Sequence, residues 1–321
     1  MSVIYQGGAP KQEIFQIFSE TMAQLFQEDH KVVYLDADLM GSMKTQPLWQ
    51  AYPKRVFNCG IQEADMVGVA CGLYLAGYKP YIHSFSPFLS RRVYDQVFLS
   101  VGYGHKSVRL IGSDAGIMAT YNGGTHMCLE DMALMRAIPE ACVVDVSDGA
   151  MFAALLRQTK DRPGVIYFRT PRRDLPDIYG ADTVFEEGHA QMLRTGRDVT
   201  IVASGIMVAT ALQAADALAQ EGIFASVLDP ITVKPLEEAA ILASVRETGA
   251  AVTAENHNVI GGLGSAVAEL LCEKLPAPLV RVGVRDQFGQ VGNEAFLRGV
   301  YGLTAQEMIQ AAKAAISAKK N

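Results

Sequence analysis

Glu63 stands where chemistry is easiest to argue. It follows a turn at Gly60 in RVFNCGIQEADMVGVACGLYLAG and falls in the first turn of an apolar helix. A helix N-terminus favours negative charge by about 0.3–1 kcal/mol, which alone would account for an acid there. The stretch from Met66 to Tyr78 carries no charge, however, so the helix is expected to be buried on most sides. A carboxylate at the edge of such an interior can share a proton with a buried base.

Three more stretches hold reactive types. In YIHSFSPFLSRRVYDQ, Phe85 and Phe88 come directly after a strand that Pro87 breaks. Two aromatics there suit the walls of a flat heterocycle, and equally suit a core. Arg91 and Arg92 alongside read as surface charges. In GSDAGIMATYNGGTHMCLED a glycine-rich loop after a strand carries Asp114, Asn122 and His126. A histidine in a polar loop is a candidate acid, base or hydrogen-bond group. Arg169 ends the strand GVIYFRTP, and ligands of open α/β sheets bind beyond strand carboxyl ends. It suits a phosphate, sulfonate or carboxylate, or a salt bridge to a neighbouring acid. No Ser lies in a Gly-x-Ser-x-Gly elbow. Gly261-Gly262-Leu263-Gly264 lacks the full dinucleotide fingerprint and reads as a helix start, which argues against a nicotinamide-dependent dehydrogenase.

The elements that must position these side chains alternate. Strands are expected at 31–36, 55–58, 80–85, 108–112, 142–146, 164–169, 198–203, 225–228, 250–254 and 278–284. Helices are expected at 12–27, 63–76, 148–158, 207–220, 235–245, 264–274 and 304–318. The first repeats Ile14, Phe15, Phe18, Met22 and Leu25 along one face. Strand–helix–strand alternation implies parallel sheets covered on both faces, an α/β fold. The segment 172–197 breaks the rhythm with arginines, acids, Pro176 and three glycines. So many strands in one sheet would approach the upper limit, so two domains are expected: 1–175, a linker at 176–196, and 197–321.

Composition narrows the class. The 321 residues are 50% hydrophobic and 19% charged, with net charge −6. There is ample core material, and the acidic balance argues against a nucleic-acid surface. The five cysteines are odd in number and lack metal-ligand spacing, which fits a reducing compartment. MSVIYQGGAP lacks the regions of a signal peptide and no stretch suits a bilayer, so a soluble cytoplasmic protein is expected.

Together these pieces resemble the transketolase family over nearly the whole chain and in the right order. The resemblance rests on RVFNCGIQEADMVGVACGLYLAGYKPYIHSF, GGTH at 123–126, AIP at 137–139 and the strand ending FRTP, with ITVKPL, GGLGSAVAE and DQFGQVG later. It implies a pyrimidine-binding domain followed by the family's C-terminal domain. The family's diphosphate-binding domain, with its Gly-Asp-Gly run and Asn, has no counterpart here. The chain therefore resembles the smaller, C-terminal subunit of a split transketolase. A partner subunit would hold the diphosphate and Mg²⁺ of thiamine diphosphate, in an α2β2 assembly.

Residue by residue, the resemblance implies that Glu63 bonds N1′ of the aminopyrimidine, favouring the imino tautomer that removes the thiazolium C2 proton. Ile61, Phe85, Phe88 and Arg91 would line the cofactor site. His126 would contact the reacting hydroxyl of a small sugar or sugar phosphate. Asp114 and Asn122 would bind substrate, and Arg169 would read its distal anion. No metal ligand is implied in this chain. Asn122 stands where the family often has an acid. The Asp114–His126 spacing and YDQV at 94–97 look closer to deoxyxylulose-phosphate synthases. The activity implied is two-carbon ketol transfer from a ketose to an aldose. Its rivals are a thiamine enzyme acting on a 2-oxo acid and a non-catalytic partner subunit.

Overall fold

The computed structural model describes residues 3–5, 12–180 and 182–319. The ends of the two expected domains, and position 181 within the expected linker, lie outside the described residues. Two sheets carry the fold, each with helices on both faces. The first uses β1 (Val32–Asp36), β2 (Val56–Asn58), β3 (Lys79–Phe85), β4 (Val108–Ser113), β5 (Cys142–Asp145) and β6 (Val165–Thr170). The second uses β7 (Gln191–Arg194), β8 (Val199–Ala203), β9 (Ala225–Asp229), β11 (Ala251–Asn258) and β12 (Leu279–Val284). A short strand, β10 (Thr232–Lys234), leaves the second half and joins the first sheet. The orders are β10-β5-β6-β4-β3-β1-β2 and β12-β11-β8-β9-β7.

Within these two sheets the pairings are parallel except at two edges, where β10 runs antiparallel to β5 and β7 antiparallel to β9. The central strands are apolar runs buried at every position, as in VVYLD of β1, because helices cover both sides. The Ile14–Glu28 helix buries Ile14, Phe18, Met22 and Leu25. Phe18 stacks on Phe152 of the Gly149–Gln158 helix at 6.0 Å, and Phe152 meets Phe168 of β6 edge-on at 5.7 Å. Spacings of three and four residues thus bring one stripe per helix onto the sheet.

Three expectations change. The segment 172–197 holds β7, whose half-buried QMLR shows no alternation, and Asp174–Leu175, which pairs with Gln12–Glu13. The helix expected at 235–245 runs from Glu238 to Thr248, started by Glu237, whose carboxylate accepts from the backbone N–H groups of Ala239 and Ala240. The Glu63–Leu75 helix is not buried on most sides. It buries Glu63, Met66, Val67, Ala70 and Cys71, while Gly68, Val69, Gly72 and Leu75 face outward.

A string of buried polar groups crosses between the sheets. Ser204, just beyond β8, donates to Asp145 of β5 at 2.7 Å. Asn256 of β11 accepts from the Ile117 N–H at 3.0 Å and donates to the Ala115 carbonyl at 3.1 Å. Beside it, Glu255 starts the Leu263–Lys274 helix by accepting from the N–H groups of Leu263 and Gly264 at 2.7 and 2.9 Å. Burial pushes Glu255 up from its ordinary 4.5 to about 7, against those two donors. The neighbouring His257 is pushed down by burial to about 4.

Folded Glu255 holds its proton more tightly than unfolded Glu255, so its contribution is fully present below pH 4.5 and is lost as pH rises through about 7. His257, 3.7 Å from Glu255, titrates with the opposite sign, so the acid is read as a difference between two proteins that both keep the histidine. The stability of the wild type relative to Glu255→Gln is expected to fall between those limits, read as unfolding midpoints across a pH series. A difference that stays flat would remove the assignment.

Candidate active site

The parallel strands of the first sheet bring their carboxyl ends to one edge, where open α/β sheets bind ligands. Asp36, Asn58, Phe85 and Ser113 end β1, β2, β3 and β4 there. Below that edge His83 bonds Asp36 at 2.8 Å through Nδ1 and Ser113 at 2.9 Å through Nε2. The three side chains are wholly buried. They tie β1, β3 and β4 together and leave no room for a substrate.

Gly60, with φ of 71°, turns the chain between β2 and the Glu63–Leu75 helix. This turn drops Glu63 into the interior with 2% of its surface exposed. Ser84 Oγ donates to Oε1 at 2.9 Å, and Arg92 Nη1 donates to Oε2 at 2.7 Å. Strand alternation explains Ser84: it shares the sheet face of the helix, while His83 points to the opposite face.

Phe85 and Phe88 meet with centroids 6.1 Å apart. His126 presents its ring edge-on to both, at 5.9 and 5.3 Å. Arg91 anchors the histidine loop, donating to Glu130 at 2.7 Å and to the Thr125 carbonyl at 3.1 Å. Thr125 Oγ1 lies 2.9 Å from His126 Nδ1. The loop also leans on the second domain. The Tyr121 N–H donates to the Gly292 carbonyl at 3.2 Å, and a Cβ on Gly124 would come 2.7 Å from the Gly289 carbonyl oxygen.

Glu63, Phe85, Phe88, Arg91 and His126 are therefore brought together. Asp114, in the left-handed region at φ 56°, pairs with Arg172 Nε at 2.8 Å, and that guanidinium lies 5.3 Å from the Phe85 ring centre. Asn122 is exposed on a turn closed by its N–H to the Ala119 carbonyl. Ile61 is 70% exposed at the mouth. Among the described residues no cluster of three or more His, Cys, Asp or Glu side chains has the arrangement to hold a metal ion.

Arg169 does not join them. The strand continues through Thr170, so Arg169 lies inside β6 and points between the domains. Its Nε donates to Asp131 at 2.9 Å, Nη1 to Asp145 at 3.2 Å and Nη2 to the Asn256 carbonyl. Burial opposes its charge, but Asp131 and Asp145 more than offset that, so its pKa is raised. It is 1% exposed, with no face left for a substrate anion. The arginine that does reach the strand-end edge is Arg172, three residues on. The run RTPRR held that signal, once the strand is counted as ending at Thr170. Ser84 and Arg92 were also missed. Neither spacing nor composition pairs either one with Glu63.

Two mostly parallel α/β domains in this order, with this side-chain set on the strand ends, define a protein of transketolase fold. A model of the transketolase pyrimidine-binding domain matches residues 11–177, and one of the transketolase C-terminal domain matches 188–308. The chain belongs to the transketolase family.

It is 49% identical over 295 residues to a 6-deoxy-6-sulfo-D-fructose transketolase subunit of Clostridium sp. (strain MSTE9), covering 92% of each chain. It is 38% identical over 305 residues to 1-deoxy-D-xylulose-5-phosphate synthase of Heliobacterium modesticaldum, spanning 93% of this chain and 46% of that enzyme. A split-gene transketolase solved as an inactive β4 tetramer superposes with a TM-score of 0.88 at 39% identity, covering 97% of this chain and 100% of that one.

Replacing Arg169 with methionine leaves Asp131 and Asp145 buried without their partner. The variant is expected to lose about 3–5 kcal/mol of unfolding free energy in denaturant titration. A loss below about 1 kcal/mol, the scale of an exposed pair, would contradict the buried clamp.

Proposed function

We propose that this chain is the ring-binding subunit of a split thiamine diphosphate-dependent transketolase. It moves a two-carbon ketol unit from a ketose to an aldose together with a separate diphosphate-binding subunit. The observation that carries this is Glu63, a buried carboxylate beside the Phe85–Phe88 pair at the edge where strand ends gather. Their chemistry suits an aminopyrimidine, with an acid for a ring nitrogen and apolar walls for its faces, one of which Arg92 covers in this structure. When bound, the cofactor supplies the electron sink for the two-carbon transfer.

Glu63 holds or releases a proton at the ring nitrogen, from a site that excludes water. Ser84 orients the carboxylate by donating to Oε1. Phe85 and Phe88 orient the ring, and His126, set edge-on against both, faces the substrate hydroxyls. Asp114 and Asn122 stand on the same loop. Arg172, rather than Arg169, meets the distal anion, a phosphate or sulfonate, on the open side of its pair with Asp114. The sulfo-sugar named for the 49% identical relative motivates the sulfonate.

Diphosphate and Mg²⁺ would be held by the partner subunit, with α2β2 stoichiometry. The outward face of the Glu63–Leu75 helix supports this partnership. It is charge-free after Asp65 yet bare: Val69 is 40% and Leu75 73% exposed. The Gln96–Tyr103 helix packed against it exposes Leu99 and Tyr103. Apolar surface of this kind marks an interaction face. Among the described residues no helix is long and apolar enough to cross a membrane, and all five cysteines are free. The cytoplasm is the compartment proposed.

In the reconstituted pair, exchange of the cofactor's C2 proton with deuterium can be followed by NMR. Glu63→Gln is expected to slow it by about 10²–10⁴-fold with assembly intact. Exchange at the wild-type rate would remove the proton role. Activity of this chain alone would remove the split site. Arg172→Met is expected to raise KM for an anionic donor about tenfold or more, with a smaller change in kcat. An unchanged KM would exclude the distal contact. Release of CO₂ from pyruvate in place of ketol transfer would favour the 2-oxo acid reading.

A further inference from the structure

The Arg92 guanidinium lies where the ring just described would sit. Arg92 lies on the short Arg91–Val93 turn between the Ser86–Leu89 helix and the Gln96–Tyr103 helix, the latter wound with π-type hydrogen bonds. Its Nη1 donates to Glu63 Oε2 at 2.7 Å, and the same guanidinium sits 3.8 Å from the Phe88 ring centre. That separation is one van der Waals layer. No second flat group fits between the guanidinium and Phe88. Ser84 donates to Glu63 Oε1 and Arg92 to Oε2, so each carboxylate oxygen already has a donor, and the charged one is Arg92.

On the thiamine reading of this site, we propose that Arg92 is a displaceable occupant of the pyrimidine seat. Arg92 neutralises the buried Glu63 carboxylate and covers Phe88, and it swings out as the ring arrives. The exposures fit an exchange. Glu63 is 2% exposed and cannot be left without a partner, whereas the Arg92 side chain is 44% exposed and can turn into water. The ring then takes over both contacts, the hydrogen bond to Oε2 and the stacking on Phe88. Arg91 is not part of the exchange, because Glu130 and the Thr125 carbonyl hold it on the histidine loop.

This arrangement ties two measurements together with opposite signs. Removing Arg92 should weaken the chain, because Glu63 loses its counter-charge, yet tighten ring binding, because the competitor is gone. An ordinary structural contact would weaken both.

The probe is 4-amino-5-hydroxymethyl-2-methylpyrimidine, which carries the cofactor's ring without thiazolium or diphosphate. It is titrated by NMR into the full chain as wild type, Arg92→Met and Arg92→Lys. Unfolding midpoints are read without probe, and thiamine diphosphate binding is measured on the reconstituted pair. Arg92→Met is expected to bind the probe about tenfold more tightly while unfolding at a lower temperature. Arg92→Lys keeps a positive charge for Glu63 but lacks the flat face over Phe88. It secures the test if the methionine variant does not fold, and is expected to tighten the probe about threefold.

Equal or weaker probe binding in the variants overturns the displacement, while the thiamine reading stands if the pair binds thiamine diphosphate. Failure of all three proteins to bind the probe also overturns it. If the reconstituted pair fails to bind thiamine diphosphate as well, the functional reading falls with it.

Discussion

A guanidinium sealed between two carboxylates holds this molecule in register. Arg169 leaves β6 and meets Asp131, Asp145 and the Asn256 carbonyl with almost no access to water. Each of these charges would be costly to bury by itself, and the group is tolerated because every member is matched. Tyr167 and Ser86 add donors to Asp131 at 2.9 and 3.1 Å, and Ser204 adds one to Asp145. Through Asn256 the same cluster holds the start of the glycine-rich loop at Ala115 and Ile117. The relative placement of the domains and the path of the loop carrying His126 are thus one electrostatic problem with one solution.

The acid, the aromatic pair and the histidine inherit their positions from that solution. Ser86, which donates to Asp131, sits immediately after Phe85. Cys128, two residues past His126, lies 3.2 Å from Ser90 Oγ on the segment that carries Phe88. The site edge is therefore braced from behind by buried polar contacts, while its open side carries the solvent-reached Arg91, Arg92 and His126. A firmly supported back is the arrangement expected of a site that must hold its groups in fixed geometry.

Much of this was legible from the residues. The strand runs fell within a residue or two of their positions, except that the one expected at 250–254 continues to Asn258, because parallel, doubly covered strands are written as uninterrupted apolar text. Glu63, Phe85, Phe88 and His126 could be named because each follows a strand or opens a helix, and the topology brings such points together. What stayed hidden depended on side-chain direction. Arg169 and Arg172 are three residues apart with the same chemistry, yet one faces the domain junction and the other the strand-end edge. Only the true end of β6 distinguishes them. The bare face of the Glu63–Leu75 helix was misjudged because lack of charge says that a surface avoids water, not whether this chain or another covers it. β7 and β10 were missed as short edge strands, without alternation or β-rich length.

β10 has a consequence for how such a protein can be divided. Thr232–Lys234 arrives from the far half of the chain and caps the open side of β5, and Lys234 Nζ fastens to the carbonyls of Arg136 and Ile138 at 2.8 and 2.6 Å. An amino-terminal fragment cut before this point would carry a naked β5, a template for strand addition between molecules. The halves are thus two in architecture but one in inheritance: a gene encoding the first without the second would encode an aggregating product.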